Sequence, residues 1–321
     1  MFLNLKYLIS HDSYSGDLTY LDPLASKDGV SIYENNRYLP IGFAAESSIS
    51  EYKGESFIQF DNQNELFRLA TGIEEDVLTR VDIKDVGHKG LNVIKSGYGN
   101  YSYQYSAPDD GSEDCYLKFN YTVPDDGPLY VTFDFGEIKN VRIKVGDSVM
   151  RTHSSGKYMD IFAAGDFNAG DVVSFQADAK DQKNGSGTIY VYQINSDVFE
   201  RGYRKLLKGA LNVTKYDDTI IKGNIIAEDD CLMYTSIPYD GGWKAYVDGK
   251  ETEVQSIKNA FVCVPMSAGE HTVELRYCPP GFVVGAVISI LSVATLVLLW
   301  IFVPKVKKKR FMSGEGTAEN K

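Results

Sequence analysis

Within twelve residues, Pro238-Tyr239-Asp240-Gly241-Gly242-Trp243 and then Asp248-Gly249 set aromatic rings beside two carboxylates. Aromatic faces can stack on sugar rings, and carboxylates can work as an acid–base pair or hold calcium. A second aromatic group, Tyr101, Tyr103 and Tyr105, alternates along Gly97–Ala107 and therefore shares one face of a strand. Tyr101, Tyr103, Tyr105 and Trp243 are the candidate sugar-stacking residues. The competing reading is structural: tyrosines also fill half-exposed sheet positions, Trp243 packs into a core, and Asp248-Gly249 makes a tight hairpin turn.

No other constellation carries chemistry. His11, His88, His153 and His271 have no spacing that suggests a metal cage or a triad, and no serine elbow, phosphate loop or His-Glu-x-x-His is present. Asp109-Asp110, Asp125-Asp126, Asp217-Asp218 and Asp229-Asp230 fall in expected turns, where Asp supports its own backbone. Cys115, Cys231, Cys263 and Cys278 lack a Cys-x-x-Cys pair, so zinc is not supported; buried thiols are favoured over a Cys231–Cys263 disulfide, which stays open. No catalytic, cofactor-binding or metal-ligating residue is therefore assigned.

The elements that must position these residues are mostly strands. Alternating runs at 115–123, 129–135, 140–145, 171–177 and 187–194 read as a β-sandwich or jelly roll, separated by turn chemistry that includes Asn184-Gly185-Ser186-Gly187. Shorter runs at 211–216, 219–227, 231–237, 244–249, 261–266 and 271–277 read as a second, smaller sandwich. Two helices interrupt the strands: 63–72, ended by Gly72, and 196–209, with Ser196 as N-cap and Gly209 at its end.

Phe282 to Val303 is a run of 22 residues without an ionisable side chain, long enough to cross a bilayer. The 33 basic and 44 acidic residues of the whole chain are unevenly spread. Residues 304–321 hold six basic and two acidic residues, net +4, which leaves 27 basic and 42 acidic, net −15, before them. An acidic balance argues against nucleic acid, and a basic cluster directly after the helix predicts a cytoplasmic C-terminus with residues 1–280 outside. The opening MFLNLKYLIS has no signal-peptide pattern, so export is expected to depend on segments upstream of this sequence.

Residues 236–250 and 268–281 carry a family resemblance. The order PYDGGWKAYVDGK, FVCVP, AGEHTVELRYCPPG and a glycine-containing membrane helix resembles the C-terminal end of the YfhO family of bacterial membrane proteins, as do LNLKYLIS, VSIYENNRYLPIGFA and QNELFRLATG upstream. Within that motif Pro238, Tyr239, Asp240, Gly242, Trp243, Asp248 and Gly249 are read as structural. The resemblance implies a polytopic protein similar to GT-C glycosyltransferases that use polyprenyl-phosphate sugars and modify envelope polymers such as lipoteichoic acid. It implies catalytic acids in a membrane region this sequence does not contain.

The expected architecture is mainly β, two tandem sandwich or jelly-roll-like domains joined by a short helix. A leading segment (1–48), a first β-rich domain (49–200) with a helix near 63–71, a membrane-proximal sandwich (201–280), a transmembrane helix (282–303) and a basic tail (304–321) follow one another. Expected partners are the bilayer, the upstream membrane-helix region or its separate gene product, and a polyprenyl-phosphate sugar or envelope glycopolymer. The alternative is a standalone membrane-anchored carbohydrate-binding or structural module.

Overall fold

The computed structural model describes residues 2–11, 20–95, 102–106, 115–135, 138, 140–154, 160–179 and 184–312. The chain is mainly β, with five sheets and three α-helices among the described residues: α1 (Gln59–Thr71), α2 (Ser196–Lys208) and α3 (Phe282–Met312). A small sheet of Tyr7–His11, Val30–Asn35 and Leu21–Lys27, in that order, stands apart from two sandwiches.

The first sandwich packs two antiparallel sheets. One runs Phe162–Phe167, Gly127–Asp134, Asn184–Ile194, Ser102–Ser106, Asn92–Lys95, with Leu78–Arg80 also paired to Asn184–Ile194. The other runs Ser148–Ser154, Asn140–Val145, Val172–Asp178, Tyr116–Thr122, Ile83–Lys89. Period-two alternation supplies the core between them, as in Tyr116–Thr122, where Leu117, Phe119 and Tyr121 are fully buried.

Asn184-Gly185-Ser186-Gly187, expected as a turn, is instead strand, paired with Ser102–Ser106. The glycines are there for space. A Cβ on Gly185 would lie 2.6 Å from the Tyr105 hydroxyl, and one on Gly187 would lie 2.4 Å from the Phe135 ring. The missing side chains are replaced by the rings of their neighbours.

The second sandwich faces Asn212–Asp217, Ile220–Ala227, Gly269–Tyr277, Trp243–Val247, Lys250–Thr252 against Gln255–Ile257, Phe261–Met266, Cys231–Pro238, Gly42–Glu46. Gly42–Glu46 lies in the stretch expected to lead into the fold, yet it is the edge strand of this sheet, in register with Cys231–Thr235. The first sandwich is thus inserted between that strand and the rest of the second. Backbone pairing decides membership here, and a five-residue strand carries too little pattern to announce a partner almost two hundred residues away.

Between the sandwiches lie α1 and α2. Phe43, Ala45, Leu232, Tyr234 and Cys263 from the second sandwich pack with Ala70 and Leu206 of the helices, while Tyr192 and Leu78 of the first pack with Phe60, Phe67 and Val198. The α1 helix ends as expected at Gly72, in the left-handed region at φ 68°. At α2 the N-cap is Asn195, whose side chain accepts from the Val198 N–H, one residue before the expected Ser196. A Cβ on Gly202 of α2 would lie 2.2 Å from the Phe67 ring, so this glycine lets the helices meet.

Buried Asn64 of α1 both donates to the Leu78 carbonyl and accepts from the Leu78 N–H, each at 2.8 Å, acting as a strand's backbone would. Asn64→Leu removes both bonds and leaves two buried backbone groups unpaired, for a loss of roughly 2–4 kcal/mol. Thermal melting of the detergent-solubilised chain checks this; an unchanged midpoint contradicts it.

Candidate functional site

The motif residues converge on one strand, Gly269–Tyr277, the centre of its sheet and the last strand before α3. Trp243–Val247 pairs with it from Trp243 opposite Tyr277 to Val247 opposite Val273. The hairpin that follows turns at Asp248 and Gly249, with φ 51° and 76°, as the Asp-Gly sequence predicts for a type I′ turn.

Two aspartates hold the two ends of that strand. Asp248 accepts from the Thr272 N–H at 2.9 Å and lies 2.7 Å from His271 Nδ1 at one end. At the other end Asp240 accepts from the Tyr277 hydroxyl at 2.7 Å and from the Gly242 N–H at 2.8 Å. The Gly242 carbonyl then accepts from the Cys278 N–H at 3.0 Å. Gly242 has no left-handed requirement; a Cβ there would lie 2.6 Å from the Cys278 carbonyl oxygen. Trp243, half-buried on the sandwich core, places its ring 4.9 Å from that of Tyr277. Tyr239 packs on the same core and bonds the Ala260 carbonyl, and Pro238 ends its strand opposite Phe261. The motif is a clamp on the chain's path into α3.

His271 forms a line with Ser267, four residues before it, and Asp248, which is 23 residues away and is brought to it by strand pairing, so no spacing announced the three together. It resembles a catalytic triad but is not arranged as one. Nε2 lies 3.0 Å from the Ser267 carbonyl, closer than the 3.4 Å to the Ser267 hydroxyl, so its nearer partner is a backbone acceptor and not a nucleophile it could deprotonate. The Asp248 hydrogen bond, then the Ser267 carbonyl, hold His271 above its ordinary value of 6.5, against desolvation. The same bond to His271 holds Asp248 below 3.8. His153 is different: it stacks on Phe162 at 3.7 Å, and burial pushes it down.

Along the same strand Glu274 bonds Arg276 at 2.8 Å and Lys222 at 3.1 Å, which hold its carboxyl well below the usual range. The Arg276 guanidinium lies 4.6 Å over the Tyr246 ring. These contacts satisfy the charges among themselves, and no group of three or more metal-capable His, Cys, Asp or Glu occurs among the described residues.

The tyrosine row sits elsewhere. Tyr105 is buried, 3% exposed, beneath Gly185, so its ring face is covered. Tyr103 is half-buried, edge-on to Phe119 at 5.3 Å, and lines a groove of about 560 Å³ with Asp82, Lys84, Asp85 and Lys95. Tyr101 lies outside the described residues. Cys115, Cys231 and Cys263 are buried free thiols, whereas Cys278 is free and exposed just before α3. Burial pushes Cys231 up to about 11 and Cys263 to about 12.

A second groove, about 630 Å³, opens beside α2, with Tyr38, Tyr203 and Tyr216 on its walls and Asn4 and Asn212 among its polar groups. No sequence signal joined these residues; Tyr38 and Tyr203 are 165 positions apart.

Fold and clamp together define a β-rich double-sandwich protein whose last strand is tied to a helix, Phe282–Phe302, long and apolar enough to cross a membrane. A family model described as bacterial membrane protein YfhO matches residues 1–289, and the chain belongs to the YfhO family. The uncharacterized protein YfhO of Bacillus subtilis (strain 168) is 32% identical over 83 residues, 26% of this chain and 9% of its own length. The match thus spans under a tenth of that relative. Among solved structures, a mutant of a carbohydrate binding module of family 29 aligns with a TM-score of 0.24 and 16% identity, over 36% of this chain and 86% of its own. A GH2 β-galacturonidase from Eisenbergiella tayi aligns with a TM-score of 0.23 and 11% identity, over 62% and 38%. Both scores are too low to carry an argument.

Gly242→Ala forces the Cys278 carbonyl aside and costs about 1–3 kcal/mol. Asp240→Ala, which keeps the backbone, lowers the melting midpoint less, and a Gly242→Ala midpoint equal to wild type removes the clamp argument. Protonated His271 favours the fold below pH 6.5, and its contribution fades as pH rises through the elevated folded value. Ionised Asp248 favours it above pH 3.8 and fades as pH falls through the depressed one. The melting midpoint is therefore expected to decline above pH 6.5 more steeply in wild type than in His271→Asn.

Proposed function

We propose that this chain is the extracytoplasmic module of a polytopic membrane protein that transfers sugar from a polyprenyl-phosphate carrier to a cell-envelope polymer such as lipoteichoic acid. Membership of the YfhO family over residues 1–289 is the observation that carries the reading. The membrane region supplies the chemistry, and this module holds or presents the acceptor. The basic cluster directly after the apolar run supports an outward-facing module with a cytoplasmic C-terminus.

Cys278 gives a direct test of sidedness, since it is exposed while Cys115, Cys231 and Cys263 are buried. In intact protoplasts a membrane-impermeant maleimide is expected to label wild type and not Cys278→Ser. A Ser313→Cys, Cys278→Ser variant should label only after permeabilisation. The reverse pattern inverts the orientation and ends the reading. Loss of sugar incorporation into the envelope polymer when the gene is deleted, restored by complementation, tests the activity itself.

A further inference from the structure

Whereas another uncharged groove, between α1 and the first sandwich, is lined almost wholly by apolar side chains, the groove beside α2 combines an uncharged lining with several polar ones. Every residue lining it is uncharged, in a portion of the chain that carries net −15. Its polar groups are amides and phenols: Asn4, Asn212, Tyr38, Tyr203 and Tyr216. The volume, about 630 Å³, falls in the range of ~300–1,000 Å³ usual for small-molecule sites.

The side of the groove formed by Tyr38 and Tyr203 is fixed before any ligand arrives. Tyr203 has the Arg37 guanidinium 5.6 Å from its ring centre, runs parallel to Phe199 at 6.4 Å, and donates to the Tyr38 carbonyl at 3.4 Å. Arg37 is itself held by Glu200 at 2.6 Å. The Lys6 ammonium lies 5.3 Å over the Tyr38 ring. Tyr216, 67% exposed, lines the same groove from the edge strand Asn212–Asp217. Tyrosines, with only two side-chain torsions to fix, offer contact area at small entropic cost.

The lining chemistry selects a ligand class. No cation lines the groove, and the two beside its rings are already paired, Lys6 with Glu34 and Arg37 with Glu200, so a phosphate or carboxylate would be held without a dedicated partner, which is costly. A purely apolar chain would cover amides and hydroxyls without bonding them, which costs about 1–3 kcal/mol for each group. A neutral saccharide answers both demands, with C–H faces for the rings and hydroxyls for the amides.

We propose that this groove binds a neutral saccharide, with Tyr216 stacking on a sugar face and Asn212 bonding its hydroxyls. The proposal rests on the acceptor-presenting role above and names the part of the acceptor that is held. It places the contact on residues quite separate from Tyr103.

The test uses the full chain in lipid nanodiscs and saturation-transfer NMR. Probes are glucose, galactose, N-acetylglucosamine, maltose and lactose, with glucuronate and glucose 6-phosphate as charged counterparts. At least one neutral sugar is expected to give transfer, its charged counterpart less. Tyr216→Ala should weaken binding roughly tenfold, Tyr216→Phe should retain it, and Asn212→Ala should reduce it. Tyr216 is exposed, so its variants are expected to melt as wild type does, and a matched melt excludes unfolding as the cause. Silence from every neutral probe overturns the proposal, as does stronger binding of the charged sugars. So does loss with Tyr103→Ala and not with Tyr216→Ala. Nanodiscs expose both faces of the membrane, so failure here leaves the sidedness result untouched, and a reversed sidedness leaves the binding result standing.

Discussion

Continuity between the central strand Gly269–Tyr277 and helix α3 is the constraint on which the rest depends. Any freedom at Tyr277 or Cys278 would become freedom of both sandwiches relative to the helix. Asp240, Gly242 and Trp243 remove it with two hydrogen bonds, one close backbone approach and one ring contact. These contacts are local and mostly short, which is what a joint needs to be stiff.

The helix layer extends that stiffness to the first sandwich. Because α1 and α2 bury one face on each sandwich, neither β unit can move far without exposing Phe43 and Tyr234 on one side or Phe60 and Tyr192 on the other. The ion pairs Arg37–Glu200, Lys205–Glu46 and Arg201–Glu75 surround this layer. As partly exposed pairs they contribute little energy and chiefly fix orientation.

What was legible in the sequence was what is local. Tyr116–Thr122 and Val172–Asp178 declare themselves by alternation, Asp248-Gly249 by turn chemistry, Gly72 by its place after a helical run, and α3 by hydropathy. Illegible was whatever depends on distant partners. Gly185 and Gly187 look like turn residues until Tyr105 and Phe135 are seen to need their space. His271 looks isolated until the hairpin brings it to Asp248. The motif was recognisable as a unit, but its meaning, two aspartates gripping opposite ends of one strand, needed the register of Trp243–Val247 on its neighbour.

The pairing of Gly42–Glu46 with Cys231–Thr235 imposes a timetable. During synthesis at about 5–20 residues per second, Gly42–Glu46 emerges well before the strand it needs, and it must wait while the whole first sandwich is made. That sandwich closes entirely within residues 78–194, so it can fold while its edge-strand forerunner is still unpaired. Only when Gly269–Tyr277 has been made can the second sandwich be completed. The last event of assembly is then also the one that fixes the strand leading into α3.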